Sequence, residues 1–276
     1  MTRRAVLKLA SQWLVGAFLA VTLGAFFFFL TAVQVSSDGT AHRILRRGVA
    51  ITTDIDAILP QLTTDLHAAA QTSDQDPVLV PNFPVPVEIP KEEAGRIEGE
   101  ELRQRLLDRA ADRLYDDGMS AWAQSDSQSN QRIVRFSTAG GLHRGFGLVT
   151  AKWNTVYLVA AGLFGFLSLV LAALLWLNLR SYLRLLALGA ATATAAVLSL
   201  AGAVAVRFAL RTAATEADLF EKELLDLGVD VVWLFIRNCL IFSLLGFAVL
   251  AVAAFFAWWE SRKAAHPAVR PIEPAA

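Results

Sequence analysis

Hydrophobic residues collect along this chain in four long runs, near 9–33, 155–177, 185–206 and 231–257, with almost no charge inside them. Each is long enough to cross a hydrocarbon core of about 30 Å as a helix. Between the runs the pattern turns amphipathic. From Ile44 the positions Ile44, Gly48, Ile51, Ile55, Ile58 or Leu59, Leu62 and Leu66 recur at steps of three and four. That spacing predicts a helix following the first run with little interruption, and Pro60 predicts a kink or restart within it. Prolines 77, 81, 84, 86 and 90, with valines between them, predict an extended connector or an edge strand. A second amphipathic helix is expected from about Lys91 to Met119, with Leu102, Leu106, Leu107, Ala110, Ala111, Leu114 and Tyr115 on its apolar side and Gly118 as its stop. Residues 123–131 read as an exposed polar loop. Leu210, Ala213, Ala217, Phe220, Leu224 and Leu227 again step by three and four. They predict that 207–227 continues the third run as a helix, with Gly228 as its stop.

The expected fold class is therefore an all-α integral membrane protein with four transmembrane helices and a mainly helical extracytoplasmic domain between helices 1 and 2. The order reads 1–8 cytoplasmic, 9–33 first span, 34–154 extracytoplasmic domain, 155–177 second span and 178–184 cytoplasmic turn. It continues with 185–206 third span, 207–230 extracytoplasmic helical loop, 231–257 fourth span and 258–276 cytoplasmic tail. Charge sets the orientation. The formal net charge of zero hides an asymmetry: Arg3, Arg4, Lys8, Arg180, Arg184, Arg262, Lys263 and Arg270 flank one set of span ends, whereas acidic residues outnumber basic ones in 34–152 and 207–230. Basic flanks stay cytoplasmic, so both termini are expected inside. The first run, with Arg3, Arg4 and Lys8 before it, is too long for a cleaved signal and reads as a retained anchor. Trp13, Trp176, Tyr182, Trp258 and Trp259 fall near the inner boundary, and Trp153, Tyr157 and Trp233 near the outer one. That is the aromatic belt expected at headgroup level.

Cys239, the one cysteine, lies inside the fourth run, so the polar loops contain no disulfide. Four-span animal families with cysteine pairs in their outer loops are a poor match. A bacterial or archaeal plasma membrane is expected.

Candidate chemistry is sparse. Arg237, beside Asn238, is the ionisable residue deep in a run, where such groups mark conduits or else snorkel to the headgroups. The segment Gly140–Gly147 sets His143 and Arg144 among glycines that would let backbone amides approach a phosphate, although neither nucleotide fingerprint is present. His42, His67 and His143 are scattered, and the acids Glu88, Glu92, Glu93, Glu98, Glu100 and Glu101 read as a solvated helix start. No catalytic, metal or cofactor-binding set emerges, and the acidic loops argue against nucleic acid. Gly16, Ala20 and Gly24, and likewise Ala191, Ala195, Ser199 and Ala203, form small-residue stripes suited to close helix packing.

Three function classes fit. One is a non-enzymatic membrane protein whose extracytoplasmic helices bind a protein partner, or another copy, and scaffold an envelope complex. A second follows from topology: a first span with a stalk, a large first outer loop, a short second one and both ends inside. This order resembles the four-span, mechanotransmitting ABC permeases, which implies an ATPase partner at the 178–184 turn. The third is a membrane enzyme working at the outer headgroups through His143 and Arg144.

Overall fold

The computed structural model describes residues 3–118, 120, 147–179, 182–217 and 219–265. In chain order these form α1 (Arg3–Val35), α2 (Asp38–Thr53), α3 (Ile55–Thr72), β1 (Val78–Leu79), β2 (Glu88–Ile89), α4 (Lys91–Ala94) and α5 (Gly99–Asp117). Then follow α6 (Ala151–Asn178), α7 (Leu183–Glu216) and α8 (Leu219–Ala265). Among the described residues the fold is all-α apart from the small β ladder, and α1, α6, α7 and α8 are each long and apolar enough to cross a membrane. Two compact units result: Met1–Phe28 with Ala160–Val204 and Phe235–Ala276, and Phe29–Val159 with Ala205–Leu234.

The first unit is a bundle of apolar helices. Leu14, Phe18, Val21, Leu163, Phe166, Leu169, Leu198 and Leu244 stand exposed on it, a surface that hydrocarbon rather than water would cover. Inside, small residues set the spacing. A Cβ on Gly246 would lie 2.7 Å from the backbone nitrogen of Ala193, so α7 and α8 are in backbone contact there. The two stripes on α1 and α7 meet within one chain: Gly24 faces Ser199, Leu19 packs with Ala191, and Phe27 packs with Ala195 and Ala196. Phe27 also stacks on Phe242 of α8 with ring centroids 4.0 Å apart. A buried polar contact joins α1 to α6, Ser168 Oγ donating to Thr22 Oγ1 at 3.0 Å, so both hydroxyls have a partner.

The second unit contains the polar module. Its core gathers Leu45 and Val49 from α2, Ile55, Leu62 and Leu66 from α3, and Leu102, Leu106, Ala110 and Leu114 from α5. Leu227 of α8 joins that core, with Leu224 packed against it. The helical period of both predicted seams is present, but the breaks fall elsewhere. α1 ends at Ser36 and Ser37, whose hydroxyls donate to the carbonyls of Ala32 and Gln34, each at 2.7 Å. The next break is at Asp54, in the left-handed region at φ 47°, rather than at Pro60. Pro60 lies exposed within α3, near its N-terminal end.

One further expectation holds in part and two are corrected. The proline-valine stretch is extended and contains a short antiparallel strand pair, β1 and β2, with Val78 opposite Ile89, and Val80, Phe83, Val85 and Val87 are buried. The helix expected from Lys91 is split, because Gly95–Glu98 separates α4 from α5 and Gly99 adopts φ +57°. Gly118, at φ +68°, does end α5. Gly228 ends nothing. It sits inside α8, which runs unbroken from Leu219, while α7 carries the third run on to Glu216. The expected loop 123–131 lies outside the described residues.

Candidate functional site

Charge periodicity positions the most organised polar surface. On α2, Asp38, His42 and Arg46 are spaced by four; on α5, so are Asp108, Asp112 and Asp116. Residues four apart share a helix face, so one mixed stripe meets one acidic stripe. His42 Nε2 lies 2.8 Å from Asp112, and Arg46 Nε 3.0 Å from Asp108. One turn forward on α2 thus matches one turn back on α5, so the helices pack antiparallel. His42 Nδ1 is 2.7 Å from the carbonyl oxygen of Asp38. Both ring nitrogens therefore face acceptors.

The seam is closed at its ends by contacts to other elements. Arg47 Nη1 donates to Asp230 of α8 at 2.8 Å. Arg103 Nε donates to Asp56 of α3 at 2.7 Å, and that bond, with the charges of Asp56 and Glu100, holds the guanidinium above its ordinary value. The Tyr115 hydroxyl donates to the carbonyl of Ser36, at the junction of α1 and α2, at 3.2 Å. Burial, then the charges of Asp38 and Asp116, push this phenol up from its usual range. These pairs are partly exposed, and pairs of this kind contribute only ~0.2–1 kcal/mol each. Their geometry fixes register more than it adds stability.

Beside the seam runs an open groove of about 440 Å³ between α5 and the chain at Pro86–Glu88. Arg109 Nη1 donates to the carbonyl of Glu88 at 2.7 Å, Arg105 pairs with Glu93, and Arg113 with Asp117 at 3.2 Å. Every arginine of α5 is thus engaged, so the groove presents a mixed-sign pattern rather than a free cationic cluster.

The residues singled out from sequence are not brought together. Arg237 is exposed on α8 and has no hydrogen-bond or ionic partner among the described residues, while Asn238 beside it is buried. Asp230, the acid toward which Arg237 would snorkel, is already bonded to Arg47. His143 and Arg144 lie outside the described residues, as does Gly140–Gly147 apart from Gly147 itself. Among the described residues no group of three or more His, Cys, Asp or Glu is arranged to hold a metal ion. His42, weighed only as a scattered histidine, is the centre of the seam. The signal that would have found it was the spacing of four shared by 38, 42 and 46 with 108, 112 and 116. Compared with known protein families, characterised proteins and solved structures, the chain matches none.

Proposed function

We propose that this protein is a multi-pass plasma-membrane protein whose helical module lies outside the cytoplasm and binds a protein partner, scaffolding an envelope complex in a bacterial or archaeal cell. It acts without catalysis of its own. The observation that carries this reading is the way the module is finished. Its core is closed by apolar residues from α2, α3, α5 and α8, and its seam charges are paired in register. Such a body presents a fixed pattern of charge on α5, as preorganised recognition requires.

A second reading has an observation of its own. The same compact unit holds the module and parts of α1, α6, α7 and α8, and Leu224 and Leu227 of α8 pack into the module core. That favours a subunit relaying strain between the module and its spans, as the resemblance to mechanotransmitting permeases implies.

Photocrosslinking in intact cells separates the two. Photoreactive residues replace Asp116 in the groove, Glu98 at the opposite end of α5, and Leu183 beside the short turn. One defined partner captured from Asp116 and not from Glu98 supports the scaffold reading. An ATPase captured at Leu183 favours the relay. Equal capture of many proteins from Asp116 and Glu98 overturns the partner reading.

A further inference from the structure

The bundle unit has a wedge-shaped opening that packing leaves unfilled. Where α1 passes α7 at Gly24, the Cβ position lies 3.7 Å from Ser199, and Leu19, Leu175 and Ala191 close a small core nearby. Two turns earlier, Gly16 has nothing within 4 Å. A space therefore opens beside Gly16, while α1 stays in contact with α6 at Gln12. The opening measures about 470 Å³ and is walled by Gly16, Ala17 and Ala20 of α1, Leu175 of α6, and Ala187 and Ala190 of α7. Its walls are almost wholly apolar, and no described segment enters it.

Three features identify the occupant. The first is depth. On α1 the opening runs from Gln12 to Ala20 and on α7 from Leu183 to Thr194. At 1.5 Å per residue these are about 12 and 16 Å, half of a ~30 Å hydrocarbon core. A helix from another subunit would need a seam through both leaflets, whereas one acyl chain needs one leaflet. The second is the polarity beside the opening, next to its lining residues Gln12, Leu179 and Leu183. Gln12 Nε2 donates to the carbonyl of Asn178 at 3.5 Å, and Arg184 Nε to that of Leu179 at 2.8 Å. The Arg184 guanidinium also lies over the Trp176 ring, 5.2 Å from its centroid. Its Nη donors make no hydrogen bond among the described residues. The third is Trp13, 75% exposed and lining the same opening, an indole at the depth where headgroup meets chain.

We propose that this wedge is a binding site for one acyl chain of an anionic glycerophospholipid, with the lipid phosphate held by Arg184. A lipid here would fill the volume that α1, α6 and α7 leave between them and hold the start of α1 against the bundle. The site does not depend on the role of the polar module.

The test uses the full chain in phosphatidylcholine vesicles carrying a minor fraction of phosphatidylglycerol with a diazirine on its acyl chain. After photolysis, adducts are mapped by peptide mass spectrometry. Adducts concentrated on Trp13–Ala20 and Leu183–Ala191, competed several-fold better by unlabelled phosphatidylglycerol than by phosphatidylcholine, support the site. Gly16→Leu extends into the wedge from a position whose Cβ meets nothing within 4 Å, so it should abolish those adducts while labelling at Leu163 and Phe166 stays unchanged. Arg184→Gln should keep the adducts but lose the preference for the anionic lipid. Equal labelling of the wedge and of Leu163 and Phe166 overturns the proposal. So do chain-to-chain crosslinks through the wedge, which would make a second copy the occupant. An unchanged lipid preference in Arg184→Gln overturns the assignment of the headgroup.

Discussion

Two residues show what a single position contributes within each unit. Gly246 is defined by what it excludes: any side chain there would enter the backbone of Ala193. Overpacking of this sort costs about 1–3 kcal/mol, and backbone cannot rotate out of the way. Gly246→Val should lower the denaturant midpoint of the detergent-solubilised protein accordingly, whereas Gly16→Ala, with open space around it, should leave the midpoint near the parent's. Tyr115 acts through a proton. Its neutral hydroxyl donates to the Ser36 carbonyl, and burial with Asp38 and Asp116 raises its folded-state value above that of the unfolded chain. The folded form therefore keeps the proton after the unfolded form has lost it. The stabilisation is complete below the ordinary phenol value of about 10 and fades as pH rises through the higher folded value. Tyr115→Phe should cost about 1 kcal/mol at neutral pH and flatten the alkaline decline, read by unfolding across pH beside a phenolate absorbance titration.

At the scale of elements, the informative places are the breaks. α2 and α3 are joined through Asp54 alone, at φ 47°, a conformation that Asp tolerates and β-branched residues do not. Asp54→Val should destabilise the module by about 1–2 kcal/mol, and Asp54→Gly should be neutral or mildly stabilising, both seen as shifts of thermal midpoint. The core face of α5 sets a larger scale. Leu106→Ala empties a fully buried site and should cost about 2–5 kcal/mol by the same measurement.

These breaks also show what the sequence could and could not convey. Apolar runs and three-four spacing are local, so the four long helices, the buried face of α5 and the Gly118 stop were legible. Asp54 was not, because a left-handed Asp carries no local signature, while Pro60 gave a false one that its exposed position in α3 made harmless. The valines from Val78 to Val87 read as an extended connector because their burial depends on α3 and α5 arriving from elsewhere in the chain. Gly228 read as a stop because glycine often is one, yet it stands inside α8, 3.5 Å from Leu210 measured from its Cβ position. For the candidate site, the spacing on α2 and α5 was present, but their pairing spans some 70 residues and no local rule joins them.

At the scale of the molecule, orientation is the proposal on which the partner reading depends, and it has a direct test. Basic residues gather at one set of helix ends and acids fill the polar segments, which by the preference of Lys and Arg for the cytoplasmic side puts the module outside. Cys239 is fully buried and gives a quiet background, removable as Cys239→Ser. Into that chain go Glu98→Cys, on the exposed stretch before α5, or Ser261→Cys, exposed near the end of α8. A membrane-impermeant maleimide applied to intact cells should label the cysteine at 98 and reach the one at 261 only after permeabilisation. The reverse pattern would put the module in the cytoplasm, where no extracytoplasmic partner could meet it, and the scaffold proposal would fail. The lipid wedge would survive that reversal, since it needs only a bilayer and one leaflet of depth. Labelling at both positions without permeabilisation would place both helix ends outside and rule out the four-span arrangement itself.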